Sequence, residues 1–457
     1  MALLDPTDSR PVHFVGIAGA GMSALAELFL RRGVNVTGCD ANPTGAADLE
    51  RLGVRVTPHD PAHVDGARAL VITSAMPKHH PEIERARQAG IPVIRRAEAL
   101  GEVTVGRELV GIAGTHGKTT TTVMTTSALA AAGRDPTALV GGRVAAWEGN
   151  LHQGGDTLYV VEADEYDRSF LALTPTVAVV TNMEADHLDI YADLTDIRGA
   201  FAQFARGART IVLCGDDQGA STLPTPSSTE VIRYGIDSRD ARLVASGIRN
   251  AGRGATFDVV YDGEPLGSVT LQVPGRHNIL NSLAAIASGV ALGAPFAGMA
   301  SGLAQFGGVE RRFQRLGEAR GISVIDDYAH HPTEIAATLA AARGTFPGRR
   351  IVAAFQPHLY TRTRDFSAEF GTALAAADAV YLTEIYPARE QPIAGVDAGL
   401  IERALVKVGG HLAWRGQRNA LASALAAEAR EGDVVITIGA GDITKTGHEL
   451  LKALDGA

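Results

Sequence analysis

A lysine set among glycines and followed by threonines is a group of residues suited to holding phosphate. The stretch GTHGKTTTT, Gly114–Thr122, follows the apolar run ELVGIA and opens a helical pattern. Backbone N–H groups in such a turn can wrap phosphate oxygens, Lys118 can reach the β- and γ-phosphates, and Thr119 can hold Mg²⁺. The spacing departs from the usual P-loop, which puts glycine five residues before Gly117. That position is Ile112, and the glycines fall at Gly111 and Gly114. Capping could account for one threonine, but helix propensity does not explain four in a row. The cradle is therefore expected over Gly114, Thr115, His116, Gly117, Lys118, Thr119 and Thr120, with Gly111 in the strand beneath it.

Two acidic runs end apolar strands farther along. EADEYD, Glu162–Asp167, carries four carboxylates, and NMEADHLD, Asn182–Asp189, adds Glu184, Asp186, His187 and Asp189. Such crowding needs a cation or basic groups nearby, unless these are simply solvated loops. Oxygen donors with one imidazole suit Mg²⁺ or Mn²⁺. Earlier in the chain, GIAGAGMS joins a strand to a helix, where Gly19, Ala20, Gly21, Met22 and Ser23 could meet a phosphate at the positive helix end. Its glycines do not fit the dinucleotide fingerprint, since position three is Ala18. Asp40 nevertheless ends the next strand, where a ribose-binding acid would sit. A nucleotide-sugar diphosphate, an NAD or a plain βα turn would all use this geometry.

Later polar runs again follow strands. GRHNILN places His277, Asn278 and Asn281 at a helix start, as caps or as contacts to a nucleotide base. ERRF contains Arg312, for a surface ion pair or a ligand. DDYAHHPTE brings Asp326, Asp327, His330 and His331; FQPHLYTRT brings His358, Tyr360 and Arg362. Polar clusters after several neighbouring strands point to one shared edge.

The elements that must position these groups alternate apolar runs with helical patterns, which implies parallel sheets. VHFVGIAG, VNVTGCD, ALVITSA and PVIRR read as strands of a first segment; ELVGIAG, TLYVVEAD, TVAVVTN and TIVLCGDD belong to a second. Between Val231 and Val273 the period shortens to two, which predicts antiparallel strands added to one edge. ISVIDDYAHH, RRIVAAFQPH, AVYLTEIY and DVVITIGAG form the third segment. The expected fold is α/β with three domains, each around a mostly parallel sheet: a Rossmann-like domain over 1–106, a P-loop-type ATPase domain with added antiparallel strands over 107–316, and a Rossmann-like domain over 317–457.

The chain has 457 residues, 46% of them hydrophobic, and a net charge of −9. Without a basic run it is not expected to bind nucleic acid or an anionic membrane. Two distant cysteines, Cys39 and Cys214, fit a reducing compartment. No apolar run is long enough to span a bilayer and the start lacks a signal core, so a cytoplasmic protein is expected. Only five lysines occur: Lys78, Lys118, Lys407, Lys445 and Lys452.

In this order, the motifs GIAGAGMS, GTHGKTTTT, EADEYD, NMEADHLD, GRHNILN, RRF, DDYAHHPTE and FQPHLYTRT resemble the Mur ligases of bacterial cell-wall synthesis, closest to the alanine-adding branch. They span Gly16 to Thr363. GTHGKT is shared with folylpolyglutamate synthetase, whereas DDYAHHPTE with FQPHLYTRT is far more specific. The tripeptide-adding branch shares several of them. The resemblance implies that ATP phosphorylates the lactyl carboxylate of UDP-N-acetylmuramate and that the amine of L-alanine attacks the acyl phosphate. It implies Lys118, Glu162, His187, His330 and Arg362 as catalytic residues, and Thr119, Glu162 and His187 as ligands of Mg²⁺ or Mn²⁺. His277, Asn278, Asn281, Arg312 and Asp326 would contact ATP. GIAGAGMS and Ser74 would hold the UDP part, and His358, Tyr360 and Arg362 would place alanine. Closure of the third domain over ATP is implied, as is a monomer or homodimer acting on small molecules. Several Mur ligases carry a carbamylated lysine near the metal; with no lysine between Lys118 and Lys407, the central segment is expected to do without it.

Overall fold

The computed structural model describes residues 3–456 apart from 75, 78, 188, 189 and 253, so Lys78 and Asp189 lie outside the described residues. The alternating pattern is realised as three sheets. The first comprises β1 (Val12–Val15), β2 (Val36–Cys39), β3 (Val56–Thr57), β4 (Ala69–Ile72) and β5 (Val93–Arg95). Its order is β3-β2-β1-β4-β5 with every pairing parallel. The order reverses beside β1, which opens a crevice at the carboxyl ends of β1 and β4. β3 is only two residues long, too short to register as a periodic run.

The second sheet has ten strands: β6 (Glu108–Ala113), β7 (Thr137–Val144), β8 (Gly149–His152), β9 (Leu158–Glu162), β10 (Val177–Val180), β11 (Thr210–Cys214), β12 (Glu230–Gly235), β13 (Leu243–Ala251), β14 (Gly254–Tyr261) and β15 (Glu264–Leu271). They run in the order β15-β14-β13-β12-β11-β10-β6-β9-β7-β8. β6 lies between β9 and β10, parallel to both. The phosphate-binding stretch and the two acidic runs therefore leave three adjacent strands at one edge. β14 and β15 are joined by Asp262 and Gly263 alone, with φ of 49° and 86°, a two-residue turn that only an antiparallel pair can use. The expected change to antiparallel pairing comes later than the sequence period suggests. β12 still pairs parallel with β11, because the long link between them carries the short helix Gln218–Ser221 and can cross over. At the opposite edge β7 and β8 form an antiparallel pair that the sequence pattern did not reveal.

The third sheet contains β16 (Gln314–Ala319), β17 (Ile322–Asp327), β18 (Ile351–Phe355), β19 (Ala379–Thr383), β20 (Leu412–Gly416) and β21 (Val434–Ile438), in the order β16-β17-β21-β18-β19-β20. Only β16 is antiparallel to its neighbour. Alternate residues of β17, β18, β19 and β21 feed two apolar clusters, one on each face. Strands buried on both faces explain why their sequences read as continuous apolar runs.

The chain forms two compact units. One takes the chain up to Ile248 with Phe257–Thr270 and Leu280–Phe306; the other takes Arg249–Thr256, Leu271–Ile279 and the chain from Gly307 onward. Among the described residues no helix is long and apolar enough to cross a membrane.

Candidate active site

The phosphate-binding stretch owes its shape to two glycines. Gly114 has φ +141°, and a Cβ there would lie 2.0 Å from Thr181 Oγ1. Gly117, at φ +81°, caps the helix Lys118–Ala131, and a Cβ there would come within 2.8 Å of Asn281 Oδ1. Both positions thus exclude a side chain. Gly111 lies inside β6 with ordinary backbone geometry; its missing Cβ makes room for Phe204. Three threonine hydroxyls on this helix bond back to its own carbonyls, whereas the Thr121 hydroxyl is buried with no partner among the described residues. Thr122 donates to the Lys118 carbonyl at 2.9 Å, and Thr125 and Thr126 donate to the carbonyls four residues earlier at 2.7 Å.

The end of β10 straps the loop in place. Asn182 Oδ1 accepts from the His116 N–H at 2.7 Å, and Asn182 Nδ2 donates to the His116 carbonyl at 3.0 Å. The Thr181 hydroxyl donates to the same carbonyl at 2.7 Å. Thr115 Oγ1 accepts the Glu184 N–H at 2.9 Å. Neither Thr181 nor Asn182 stood out as a site residue, although Asn182 begins the second acidic run.

Lys118 Nζ donates to both Glu165 oxygens at 3.0 and 2.8 Å and to the Gly114 and Thr115 carbonyls at 2.7 and 3.2 Å. Burial opposes its charge, but Glu165, Asp164 and Glu162 outweigh burial and raise its pKa. The ammonium therefore persists at neutral pH. Glu165 is a further residue that sequence reasoning missed, one carboxylate among four in its run. Burial raises the pKa of Glu162 against hydrogen bonds from the Gly141 N–H, at 2.9 Å, and from the Thr119 side chain. A half-buried carboxylate beside a hydroxyl is a fit donor set for a hard divalent cation, which would favour its ionised form. His187, at φ +54°, places Nε2 3.7 Å from Glu165 Oε1 and meets the Tyr166 ring edge-on at 5.1 Å. Thr119 and Glu162 are thus in contact, and His187 joins Lys118 through Glu165. Thr120, in the first turn of the helix, is buried.

In the first sheet, Gly19 caps the helix Ala20–Arg31. The Gly19 carbonyl accepts the N–H groups of Met22 and Ser23 at 2.9 and 2.8 Å. The Met22 side chain is only 2% exposed and packs in the core, and the Ser23 hydroxyl bonds the Ala20 carbonyl. Of the five expected substrate contacts in this loop, Gly19 and Ala20 are exposed, Gly21 and Ser23 are half-buried, and Met22 is buried. Asp40 braces this loop, accepting the Ala18 N–H at 3.0 Å. A Cβ on Gly21 would lie 3.1 Å from Arg96 Nη1, so a guanidinium that the sequence reading overlooked stands over the helix start. Ser74, exposed just beyond β4, shares that edge.

The second unit holds the remaining candidates. His277 is at the start of the helix Arg276–Ala291; burial and the Arg312 guanidinium hold its pKa down to about 4. Arg311 and Arg312 both lie over the Tyr328 ring, 4.7 and 5.1 Å from its centroid. Asn278 donates to the Pro274 carbonyl at 2.6 Å, while Asn281, farther along the helix, belongs to the first unit beside Gly117. Asp326 stands near the carboxyl end of β17. It is fully buried, and its oxygens accept from Thr437 at 2.6 Å, Thr444 at 2.9 Å and Arg311 at 3.3 Å; it braces the strand ends. Its neighbour Asp327 accepts the Phe313 N–H at 2.8 Å, and burial raises its pKa to about 6. His331 caps the helix Pro332–Thr345 in a capping box with Glu334. The His330 ring lies 6.2 Å from that of His358. Burial, helped by Arg362, lowers the His358 pKa to about 4, and its ring stacks on Tyr386 at 5.7 Å. Tyr360 opens the helix that carries Arg362, after Leu359 at φ +71°. His330, His358, Tyr360 and Arg362 thus gather at the carboxyl ends of β17 and β18.

Comparison with known proteins follows these landmarks. Residues 11–107 match the Mur ligase family, catalytic domain; residues 112–289 match the Mur ligase middle domain; residues 311–441 match the Mur ligase, glutamate ligase domain. The chain is 48% identical, over 94% of its length and 91% of the relative's, to a UDP-N-acetylmuramate–L-alanine ligase of Acidothermus cellulolyticus. The crystal structure of a UDP-N-acetylmuramate–alanine ligase from Thermotoga maritima superposes with a TM-score of 0.83 at 30% identity, covering 98% of this chain and 99% of that one. A murein peptide ligase from Psychrobacter arcticus superposes with a TM-score of 0.73 at 26% identity, covering 98% and 99%.

Proposed function

The chain belongs to the Mur ligase family, and we propose that it joins L-alanine to the lactyl carboxylate of UDP-N-acetylmuramate at the expense of ATP, in peptidoglycan precursor synthesis. One observation carries the choice within the family: the near full-length match at 48% identity to an alanine-adding relative. The site chemistry supports the reaction class.

The γ-phosphoryl group moves from ATP to the lactyl carboxylate, breaking the bond to the β-phosphate oxygen and making an acyl phosphate. The alanine amine then attacks the acyl carbon, loses a proton and expels phosphate. Lys118, held charged, spreads the negative charge of the transferring group. The backbone N–H groups between Gly114 and Thr119 cradle the phosphates. Thr119, Glu162 and His187 would hold Mg²⁺ or Mn²⁺, which when bound neutralises phosphate charge. Asn281 stands beside the loop at Gly117; His277, Asn278, Arg312 and Asp326 are the candidates for the rest of the nucleotide. Gly19, Ala20, Gly21, Ser23 and Ser74, with Arg96, would form the face for the UDP diphosphate. His358, Tyr360 and Arg362 receive alanine, an arginine being matched to its carboxylate, with His330 alongside. The protein would act in the cytoplasm as a monomer or homodimer, with one domain over 1–106, one over 107–316 and one over 317–457.

The test offers UDP-N-acetylmuramate and ATP with a panel of amino acids and a tripeptide, reading phosphate release and product mass. L-Alanine should give phosphate and a product heavier by one alanyl residue. A protein that ignores L-alanine and couples the tripeptide belongs to the other branch.

A further inference from the structure

The N-terminal sheet carries a second cluster of reactive side chains that the ligase chemistry does not use. Cys39 ends β2, His59 lies in the link after β3, and Glu82 is in the first turn of the helix Pro81–Gln88. Cys39 Sγ is 3.0 Å from Glu82 Oε1 and 3.2 Å from His59 Nδ1. His59 Nδ1 is in turn 3.2 Å from Glu82 Oε2. His80 Nδ1 lies 3.4 Å from that same oxygen, and its ring meets the His59 ring edge-on at 4.7 Å.

Hydrogen bonding leaves this cluster incomplete. Glu82 is fully buried, and its hydrogen-bond partners are the Asp60 N–H, the Cys39 thiol and the His59 imidazole. No arginine or lysine among the described residues pairs with it. A buried carboxylate without a cation is costly. His80 Nδ1 is buried with no hydrogen-bond partner among the described residues. The same is true of Nε2 of His13, a residue 1% exposed whose ring lies 5.9 Å from that of His63; donor atoms of His13, His63 and Glu82 also fall within 4.8 Å of one another.

We propose that Cys39, His59 and Glu82, with His80 beside them, bind one zinc ion. Tetrahedral zinc, with ligands at about 2.0–2.3 Å, sets neighbouring donors roughly 3.3–3.6 Å apart, close to the separations found here. A thiol with imidazoles selects zinc over Mg²⁺. The ion supplies the positive charge that Glu82 lacks, and the Cys39 thiol proton passes to solvent. Burial pushes the histidine His80 towards its neutral, ligating form, while burial and Glu82 push the Cys39 thiol pKa up; zinc affinity therefore falls with falling pH. The ligands come from three segments at one edge, and the Cys39 carbonyl accepts the N–H groups of Gly16 and Ile17 at 2.8 and 3.1 Å. The ion would clip together the base of the glycine loop. With two of its donors, Cys39 and Glu82, on fully buried side chains, the role is structural.

The experiment uses the full-length protein, stripped with chelator and then titrated with Co²⁺ in excess Mg²⁺. One cobalt per chain with a thiolate-to-cobalt charge-transfer band is expected, because the candidate ATP site contains no cysteine. The band should vanish in Cys39→Ser and survive in Cys214→Ser. Zinc should raise the melting temperature of the wild type. His59→Ala, at a side chain 27% exposed, should fold and lose most of the zinc affinity, which keeps the proposal testable if Cys39→Ser does not fold. Failure of wild-type protein to take up cobalt with a thiolate band, or equal zinc affinity in His59→Ala, overturns it.

Discussion

At the scale of single residues, the charge on Lys118 is the quantity on which the site turns. A lysine this enclosed would lose its proton readily; Glu165, in contact through both oxygens, keeps it charged. Lys118→Ala should lower turnover by at least ~10²–10³, the usual cost of one key electrostatic group, and near-normal phosphate release would remove it from the mechanism. Glu165→Gln makes a sharper test. Its pH profile should move in one direction: without the carboxylate, only Asp164 and Glu162 remain to oppose burial, the Lys118 pKa falls, and the alkaline limb of kcat/KM for ATP shifts to lower pH. An unmoved limb would mean that Glu165 is only a packing residue. Asn182→Ala removes two hydrogen bonds from the His116 backbone and should cost about 1–3 kcal/mol of stability, seen as a lower melting temperature, together with a raised KM for ATP.

At the scale of elements, one loop between one strand and one helix separates two kinds of glycine. Gly114→Ala demands a backbone angle that alanine rarely adopts and puts a Cβ on Thr181. It should weaken ATP binding at least tenfold, roughly 1.4 kcal/mol or more, by displacing the strap at the end of β10. Gly111→Ala asks that Phe204 and Pro175 yield, away from the loop, so it should lower the melting temperature with ATP affinity kept; binding titrations of the two variants side by side decide the matter. The altered spacing was legible in the sequence because glycine at a positive φ is a local requirement. The adjacency of β9, β6 and β10 was legible in outline, since each strand ends in polar residues and parallel strands gather such ends. What escaped was set by partners distant in sequence. Thr181, Asn182 and Arg96 look like ordinary strand-end residues until the fold sets them against the loops, and the partners of Asp326, namely Thr437, Thr444 and Arg311, are likewise distant in sequence or set beside it only by the fold. The antiparallel β7–β8 pair escaped for a different reason: its irregular register, with a shift between Leu139 and Val144, blurs the two-residue period.

At the scale of the whole molecule, burial of imidazoles sets a limit on acid tolerance. His13 in the first unit is held down to about 4 by burial, with His63 and His59 adding to this and Glu82 opposing it, while His277 and His358 in the second unit are also held to about 4. Each would titrate near 6.5 when unfolded. Between about 6.5 and 4 the unfolded chain binds protons that the folded chain refuses, so stability is full above the unfolded value and declines as the pH falls through that window. Asp327, raised to about 6 by burial, runs the other way: it takes up a proton in the folded chain before the unfolded one does, and so offsets part of the decline in the second unit alone. In chelator, the melting temperature should therefore fall from pH 7 to pH 4.5. His13→Gln, which cannot take up a proton, should show a shallower decline in the unfolding of the first unit, and Asp327→Asn a steeper one in the second. Identical slopes for wild type and His13→Gln would place the acid sensitivity elsewhere than in this buried imidazole.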